Sequence, residues 1–318
     1  MRRVLVRQDA ESSGKVGKAR KARKTRRRAV LTVAALGAGA VASGCASDAR
    51  NGAGGAHGQP PQLAPPAQAL HEYAQRVRAN HTARAAAARY WGLSQVPLAA
   101  PPPPAVKPRL KTRKGFGVRG HAQLPPVFTT VPTERKVVFL TVDDGAEKDP
   151  AFLRMMSDLR IPYTAFLSNY LIKTNYGYFK QMQDRGTALN NHTLNHRYMP
   201  DLSYKAQRRE ICGMQNVIEK RYGKRPELFR PPYGNYDRDT LRAAKSCGIK
   251  AVPLWASEGF ADRMAWREWD RDLHPGDIIL THFRGSDDWD GSMTDMVRTV
   301  MKTVTGRGYA VARLEDYL

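Results

Sequence analysis

From residue 134 onward the apolar residues gather into short, mostly apolar runs at 137–142, 163–167, 187–189, 249–254, 278–280 and 309–312. Runs of this length with so few polar residues suit strands buried on both faces of a parallel sheet. Helical spacing fills the intervals. The stretch 203–222 opens on Ser203 and stops before Gly223, and 237–247 opens on Asp237 and stops before Gly248. A small polar cap at the start and a glycine just past the end are the expected helix limits. Strands alternating with helices across 134–318 predict a parallel α/β fold of barrel-like form.

Upstream of 134 the texture is different. Residues 46–69 are small and rich in Pro and Gly, too poor in large apolar groups to offset the entropy of ordering. An Ala- and Arg-rich stretch at 70–91 predicts a helix, and Pro101–Pro104 predict a stiff polyproline segment. Residues 45–133 are therefore expected to form a disordered, basic stalk, and 134–318 the folded domain.

Charge supports this division. The chain carries 52 Lys and Arg against 29 Asp and Glu, a net charge of +23. Residues 1–44 hold +10 of this, 45–133 hold +9, and 134–318 only +4. The folded part is nearly neutral, which argues against a nucleic-acid enzyme. The first 44 residues have the form of an export signal. A basic stretch containing Arg20, Lys21, Arg23, Lys24, Arg26, Arg27 and Arg28 precedes an apolar run too short and too Ala/Gly-rich to span a bilayer. The run ends on Ala42-Ser43-Gly44-Cys45, which resembles a bacterial lipobox with Ala42 in place of the usual Leu. That resemblance implies acylation of Cys45. The arginine run leaves twin-arginine and general secretory export both open.

Polar residues concentrate where the predicted strands end, the edge at which parallel α/β folds build their sites. The first run passes directly into Asp143-Asp144-Gly145. Neighbouring carboxylates repel unless a cation or a donor stabilises them, and alternation along a strand points them to different sides. Alone, such a pair more often marks a turn. After 187–189 comes Asn190-Asn191-His192-Thr193-Leu194-Asn195-His196. Histidines at i and i+4 would share one face of a helical turn and could grip a metal ion together with a carboxylate. Phe229-Arg230-Pro231-Pro232-Tyr233-Gly234 offers a rigid turn, an arginine to orient a carboxylate and a backbone N–H for an oxyanion. The run at 278 delivers His282 at its end.

Read in order, TVDDG, HTLNH, RPPYG and ILTHF resemble the first, second, third and fifth motifs of the polysaccharide deacetylase family, carbohydrate esterase family 4, also called the NodB-homology domain. The resemblance covers 134–318. It implies a distorted, irregular (β/α) barrel and one divalent metal, usually zinc with cobalt, nickel or manganese as alternatives, held by Asp144, His192 and His196. It further implies Asp143 as the base that takes a proton from the attacking water and Arg230 as its positioner. The Tyr233 N–H becomes the oxyanion donor, and His282 the acid that protonates the departing amine. The family's fourth motif is less clear here. Trp255 fits its apolar wall, while the acidic partner of His282 is either Glu258 or Asp262.

Two further cysteines, Cys212 and Cys247, fall on successive predicted helices flanking an expected strand at 228–230. An oxidising compartment would permit a disulfide. A core of this size needs no staple, which favours two buried thiols. The resulting expectation is a monomeric, lipid-anchored or secreted hydrolase acting on carbon–nitrogen bonds other than peptide bonds. Its substrate would be an acetylated envelope polysaccharide, first of all peptidoglycan N-acetylglucosamine. Chitin oligomers, exopolysaccharide and acetylxylan are alternatives. So is a catalytically silent carbohydrate-binding protein on the same fold, although sugar binding alone requires neither both aspartates nor all three histidines.

Overall fold

Every residue of the strand that begins at Val137 is buried, because the strand serves two cores at once. Val138, Leu140 and Val142 face one apolar cluster and Val137 and Phe139 the other. This is the side-to-side alternation of a pleated strand, and it explains why the run is almost wholly apolar up to its aspartates.

The computed structural model describes residues 66–120 and 123–318, all within one unit spanning 63–318. Its elements are α1 (Pro66–Tyr90), β1 (Val127–Phe128), β2 (Val137–Asp144), α2 (Pro150–Asp158), β3 (Thr164–Leu167), α3 (Asn169–Ile172) and α4 (Tyr176–Asp184). They continue with β4 (Ala188–Asn191), α5 (Tyr204–Tyr222), α6 (Arg238–Ser246), β5 (Val252–Pro253), β6 (Ser257–Gly259), β7 (Met264–Trp266), β8 (Ile278–His282), α7 (Met293–Gly306) and β9 (Ala310–Val311). The expected helix limits hold. Ser203 accepts from the Ala206 N–H at the start of α5, and Gly223 closes it at φ 77°. Asp237 and Thr240 form a reciprocal capping box on α6.

The main sheet runs β4-β3-β2-β8-β6-β7, with β9 also paired to β2, while β1 and β5 form a separate two-stranded ladder. All pairs are parallel except β6–β7. The architecture is thus α/β with mixed pairing, and no continuous ladder closes it into a barrel among the described residues. The route from β4 to β5 passes through isolated bridges, Asn191 to Phe229 and Leu228 to Ala251, in place of the strand expected at 228–230. The two prolines that follow Arg230 end any extended pairing there.

The expected stalk is corrected by the structure. Residues 91–120 and 123–133 belong to the folded body. Trp91 is buried and donates from Nε1 to Asp158 Oδ2 at 2.9 Å, while Arg298 Nε donates to the Trp91 carbonyl at 2.7 Å. Leu110, Phe116 and Leu124 pack on the second core, and Val127 and Phe128 pair with Val252 and Pro253. These apolar anchors are spaced irregularly among Pro, Gly and basic residues, so they carry no period that a pattern search could detect. The helix predicted at 70–91 is α1, whose residues 68–83 are largely exposed. The export segment and Cys45 lie outside the described residues.

The cysteine reading is also corrected. Cys212 on α5 and Cys247 at the end of α6 form a disulfide, with Cα atoms 5.1 Å apart. The thiols meet because α5 and α6 pack against each other, a tertiary fact that sequence spacing does not contain.

Candidate metal centre and active site

Strand register assembles the site. In the β2–β8 ladder Asp143 stands directly opposite His282, and in the β3–β4 ladder Leu167 stands opposite Asn191, just before His192. Three predicted motifs thus converge on one C-terminal sheet edge. Alternation along β2 places Thr141 and Asp143 on the side of the second core. There the fully buried Arg230 donates from Nη1 to Thr141 Oγ1 at 2.8 Å and to Asp143 Oδ1 at 2.7 Å. Arg230 Nε donates to the Pro253 carbonyl at 2.8 Å and Nη2 to the Leu254 carbonyl at 3.3 Å. Its guanidinium stacks 4.4 Å from the Phe166 ring. Every nitrogen of this buried cation donates, which locks the Asp143 carboxylate that it holds.

β2 ends by a backbone reversal. Asp144 adopts φ 81° and Gly145 φ 97°, and a Cβ on Gly145 would lie 2.5 Å from Ile172 Cγ2. Glycine is therefore obligatory after the aspartate pair. Four of the six non-glycine residues with positive φ among those described are site residues: Asp144, Thr193, His196 and Tyr233. Such conformations cost on the order of 1–3 kcal/mol each and persist where neighbours over-determine them.

The His192–His196 segment is not the helical turn that its spacing suggested. It leaves β4 as an irregular loop tied from several directions. Asn191 Oδ1 accepts from the Thr193 N–H at 2.9 Å, and Thr193 Oγ1 accepts from the His196 N–H at 3.0 Å. Glu210 on α5 accepts from both the backbone and side-chain N–H groups of Asn195, each at 2.8 Å. Ser168 Oγ donates to the His192 carbonyl at 2.6 Å. The loop still brings both imidazoles together, with centroids 4.9 Å apart. Spacing suggested the pair correctly for a reason that does not apply here.

Asp144, His192 and His196 present one ligand atom each, all within 4.8 Å of one another. Asp144 Oδ1 lies 3.2 Å from His196 Nε2 and 3.5 Å from His192 Nε2, yet it is buried without a hydrogen-bond partner. His192 Nδ1 sits 2.7 Å from the Arg230 carbonyl, which can only accept, so the proton resides on Nδ1 and the Nε2 lone pair faces Asp144. A buried orphan carboxylate oxygen facing two imidazole nitrogens is a donor set suited to a divalent ion such as zinc. The electrostatics agree in direction. Burial favours the neutral acid at Asp144, but the approach of His192 and His196 and the charge on His282 outweigh it, holding the carboxyl well below its usual range. Burial opposes the charged form of His192, and Asp143 and Asp144 override it to raise its basicity.

The partner of His282 is Glu258, with Nδ1 and Oε1 3.3 Å apart. Burial pushes the Glu258 carboxyl up, and His282 pulls against that shift. Asp262 is exposed and faces Arg263. Trp255 reaches the site but lies beneath it, only 6% exposed. A Cβ on Gly234 would stand 2.8 Å from Trp255 Cη2, so the indole supports the Pro232–Gly234 turn rather than forming an open wall. In that turn Gly234 and Asn235 donate to the Pro231 and Pro232 carbonyls, while the Tyr233 N–H meets no acceptor among the described residues. It is the free donor that the turn offers.

Sequence reasoning missed three residues at the rim. Arg284, two positions past His282, brings Nη2 to 3.6 Å from Asp144 Oδ2. Tyr170 and Tyr198 flank His196 and Tyr233. The nearness of Arg284 to ILTHF and of Tyr198 to HTLNH was the only available signal.

Comparison with known proteins agrees with this geometry. The family described as polysaccharide deacetylase matches residues 130–252. A peptidoglycan-N-acetylglucosamine deacetylase of Bacillus cereus is 30% identical over 169 residues, covering 49% of this chain and 77% of the relative. An uncharacterized protein of Streptomyces coelicolor is 42% identical over 199 residues, covering 62% of this chain and 78% of its own. A CE4-family pseudoenzyme from Bacillus anthracis shares the fold, with TM-score 0.51, 22% identity and coverage of 61% and 69%. The four motifs, their meeting at one sheet edge and these relatives lead to one assignment: the chain belongs to the polysaccharide deacetylase family.

Proposed function

We propose that this protein is an exported, membrane-tethered hydrolase that uses a divalent metal ion to remove N-acetyl groups from an envelope polysaccharide, with peptidoglycan N-acetylglucosamine as first substrate. The observation that carries this reading is the buried, orphaned Asp144 Oδ1 facing two imidazole nitrogens, with a separately locked carboxylate, Asp143, beside it. A silent sugar-binding protein would need neither.

Asp144, His192 and His196 would hold the metal, which when bound acts as a Lewis acid toward the acetamide carbonyl. Asp143 is turned by Arg230 so that Oδ2 lies 3.7 Å from His192 Nε2, on the ligand side, where it can take a proton from an attacking water. The Tyr233 N–H would donate to the developing oxyanion. His282, steadied by Glu258, can carry the proton that the departing sugar amine requires. Base and acid come from opposed residues of neighbouring strands, β2 and β8.

Acetate release from peptidoglycan, chitin oligomers, poly-N-acetylglucosamine and acetylxylan tests the reading, each with and without a chelator. Peptidoglycan is expected to give the highest rate, chelation to abolish it, and added zinc to restore it. No release from any polymer by metal-loaded protein would leave the silent binder in its place.

The tether rests on the Ala42–Cys45 pattern and the basic segment before it. Among the described residues no helix is long and apolar enough to cross a membrane. Cys45→Ala is expected to release the protein from the membrane fraction or leave its precursor unprocessed. A wild-type mass spectrum with no acyl group on Cys45 would refute the anchor.

A further inference from the structure

Three of the large hydrophobic residues exposed on the described surface stand together at the mouth of the metal site: Tyr170 at 40% exposure, Tyr198 at 43% and Tyr233 at 43%. A single exposed tyrosine requires no explanation, whereas a cluster of amphipathic rings beside convergent polar groups marks a ligand surface. The rings form an unbroken arc through a metal-ligating histidine. Tyr170 lies 6.4 Å from His196, His196 lies 4.7 Å from Tyr233, and Tyr233 lies 6.4 Å from Tyr198, centroid to centroid. The two outer steps are tilted by 41° and 39°, so neighbouring rings do not bury each other's faces by stacking.

The arc comes from three separate segments, and the backbone holds it in place. Tyr170, on α3, donates its N–H to the Leu194 carbonyl at 2.9 Å, and Asn169 donates to the Thr193 carbonyl at 3.3 Å. These bonds tie the Tyr170 segment to the histidine loop. Tyr198 directly precedes the buried Met199, and Tyr233 is fixed at φ 60° between Pro232 and Gly234. None of the three rings belongs to either apolar core.

We propose that Tyr170 and Tyr198 are the two ends of a glycan track through the site, each stacking on a sugar that flanks the one being deacetylated. The apolar C–H face of a pyranose matches an aromatic face, and the phenol hydroxyls remain available to sugar hydroxyls. Rings lie on both sides of His196, so the track accepts a residue within a chain rather than a chain end. This rests on the deacetylase reading and narrows its substrate to an internal unit of a glycan chain.

The test uses chitobiose and chitotetraose as probes of the full chain. Binding is measured by calorimetry in an Asp143→Asn background, and acetate release in the otherwise native protein. The tetramer is expected to bind at least tenfold tighter than the dimer. Tyr198→Ala and Tyr170→Ala should each remove about tenfold of that gain, raising KM for the tetramer more than they lower kcat. Tyr→Phe at either position should keep most of it, because the ring rather than the hydroxyl does the stacking. Equal affinity for dimer and tetramer, no binding of either, or alanine variants that bind like their parent would overturn the track. Acetate release with unaltered variants would remove the track and leave the deacetylase reading standing. Tyrosine-dependent binding with no acetate from any polymer would do the reverse.

Discussion

Asp143→Asn is expected to stay folded, at a cost in stability because the buried Arg230 loses its counter-charge, and to keep the metal while losing about 10²–10⁴-fold in turnover, the usual contribution of a general base. Asp144→Asn is expected to lose metal and activity together, with affinity falling by at least the roughly 10–100-fold typical of disturbing residues around a site. The two aspartates are adjacent, yet strand alternation and the φ 81° reversal at Asp144 separate their tasks. One is gripped by Arg230, while the other faces the two imidazoles. Metal content and acetate release would be measured on both purified variants. Wild-type turnover by Asp143→Asn would refute the base assignment, and full metal content in Asp144→Asn would refute the ligand assignment.

Arg230→Ala should be the most damaging single change to the fold, costing about 3–5 kcal/mol, because it leaves the buried Asp143 carboxylate without its cation. Arg230 is fully buried and all its polar contacts are internal, so water cannot replace them. Arg230→Lys keeps the charge but not the planar fork that serves Thr141, Asp143 and two carbonyls, so it too should be destabilised. Urea unfolding of single and double variants gives the decisive comparison. In an Asp143→Asn background the cost of Arg230→Ala should shrink, since the uncompensated charge is already gone. Equal costs in both backgrounds would show that packing, not the ion pair, is what Arg230 supplies.

Much of the site is legible in the amino-acid sequence. The aspartate pair, the two histidines, the arginine turn and the last histidine each follow a short apolar run or sit beside proline and glycine. Such punctuation marks where a backbone stops being regular. The histidine loop shows how a correct pairing can rest on a wrong local picture. The spacing of His192 and His196 predicts a helical turn, but they meet because Asn191, Thr193, Ser168 and Glu210 fold a non-helical loop. Glu258 is one of two equal alternatives in the sequence for the partner of His282. β6 beside β8 selects it, because Glu258 pairs in register with Leu280, two residues before His282 on the same side of the strand.

Local chemistry alone determined which residue types could act and at which strand ends. Apolar runs specify buried strands, capped helices specify their limits, and the chemical groups lie between. Only the tertiary structure decided what depends on long-range contact. That covers the docking of residues 91–120 and 123–133 on the domain, the Cys212–Cys247 disulfide, the retreat of Trp255 beneath the Gly234 turn, and the joining of β4 to β5 through isolated bridges. It also covers the gathering of Tyr170, Tyr198 and Tyr233 around His196. The physical reason is common to all of these. Periodicity and capping act over a few residues, whereas register, packing and ring contacts join segments tens to hundreds of residues apart, and no local pattern encodes which segments will meet.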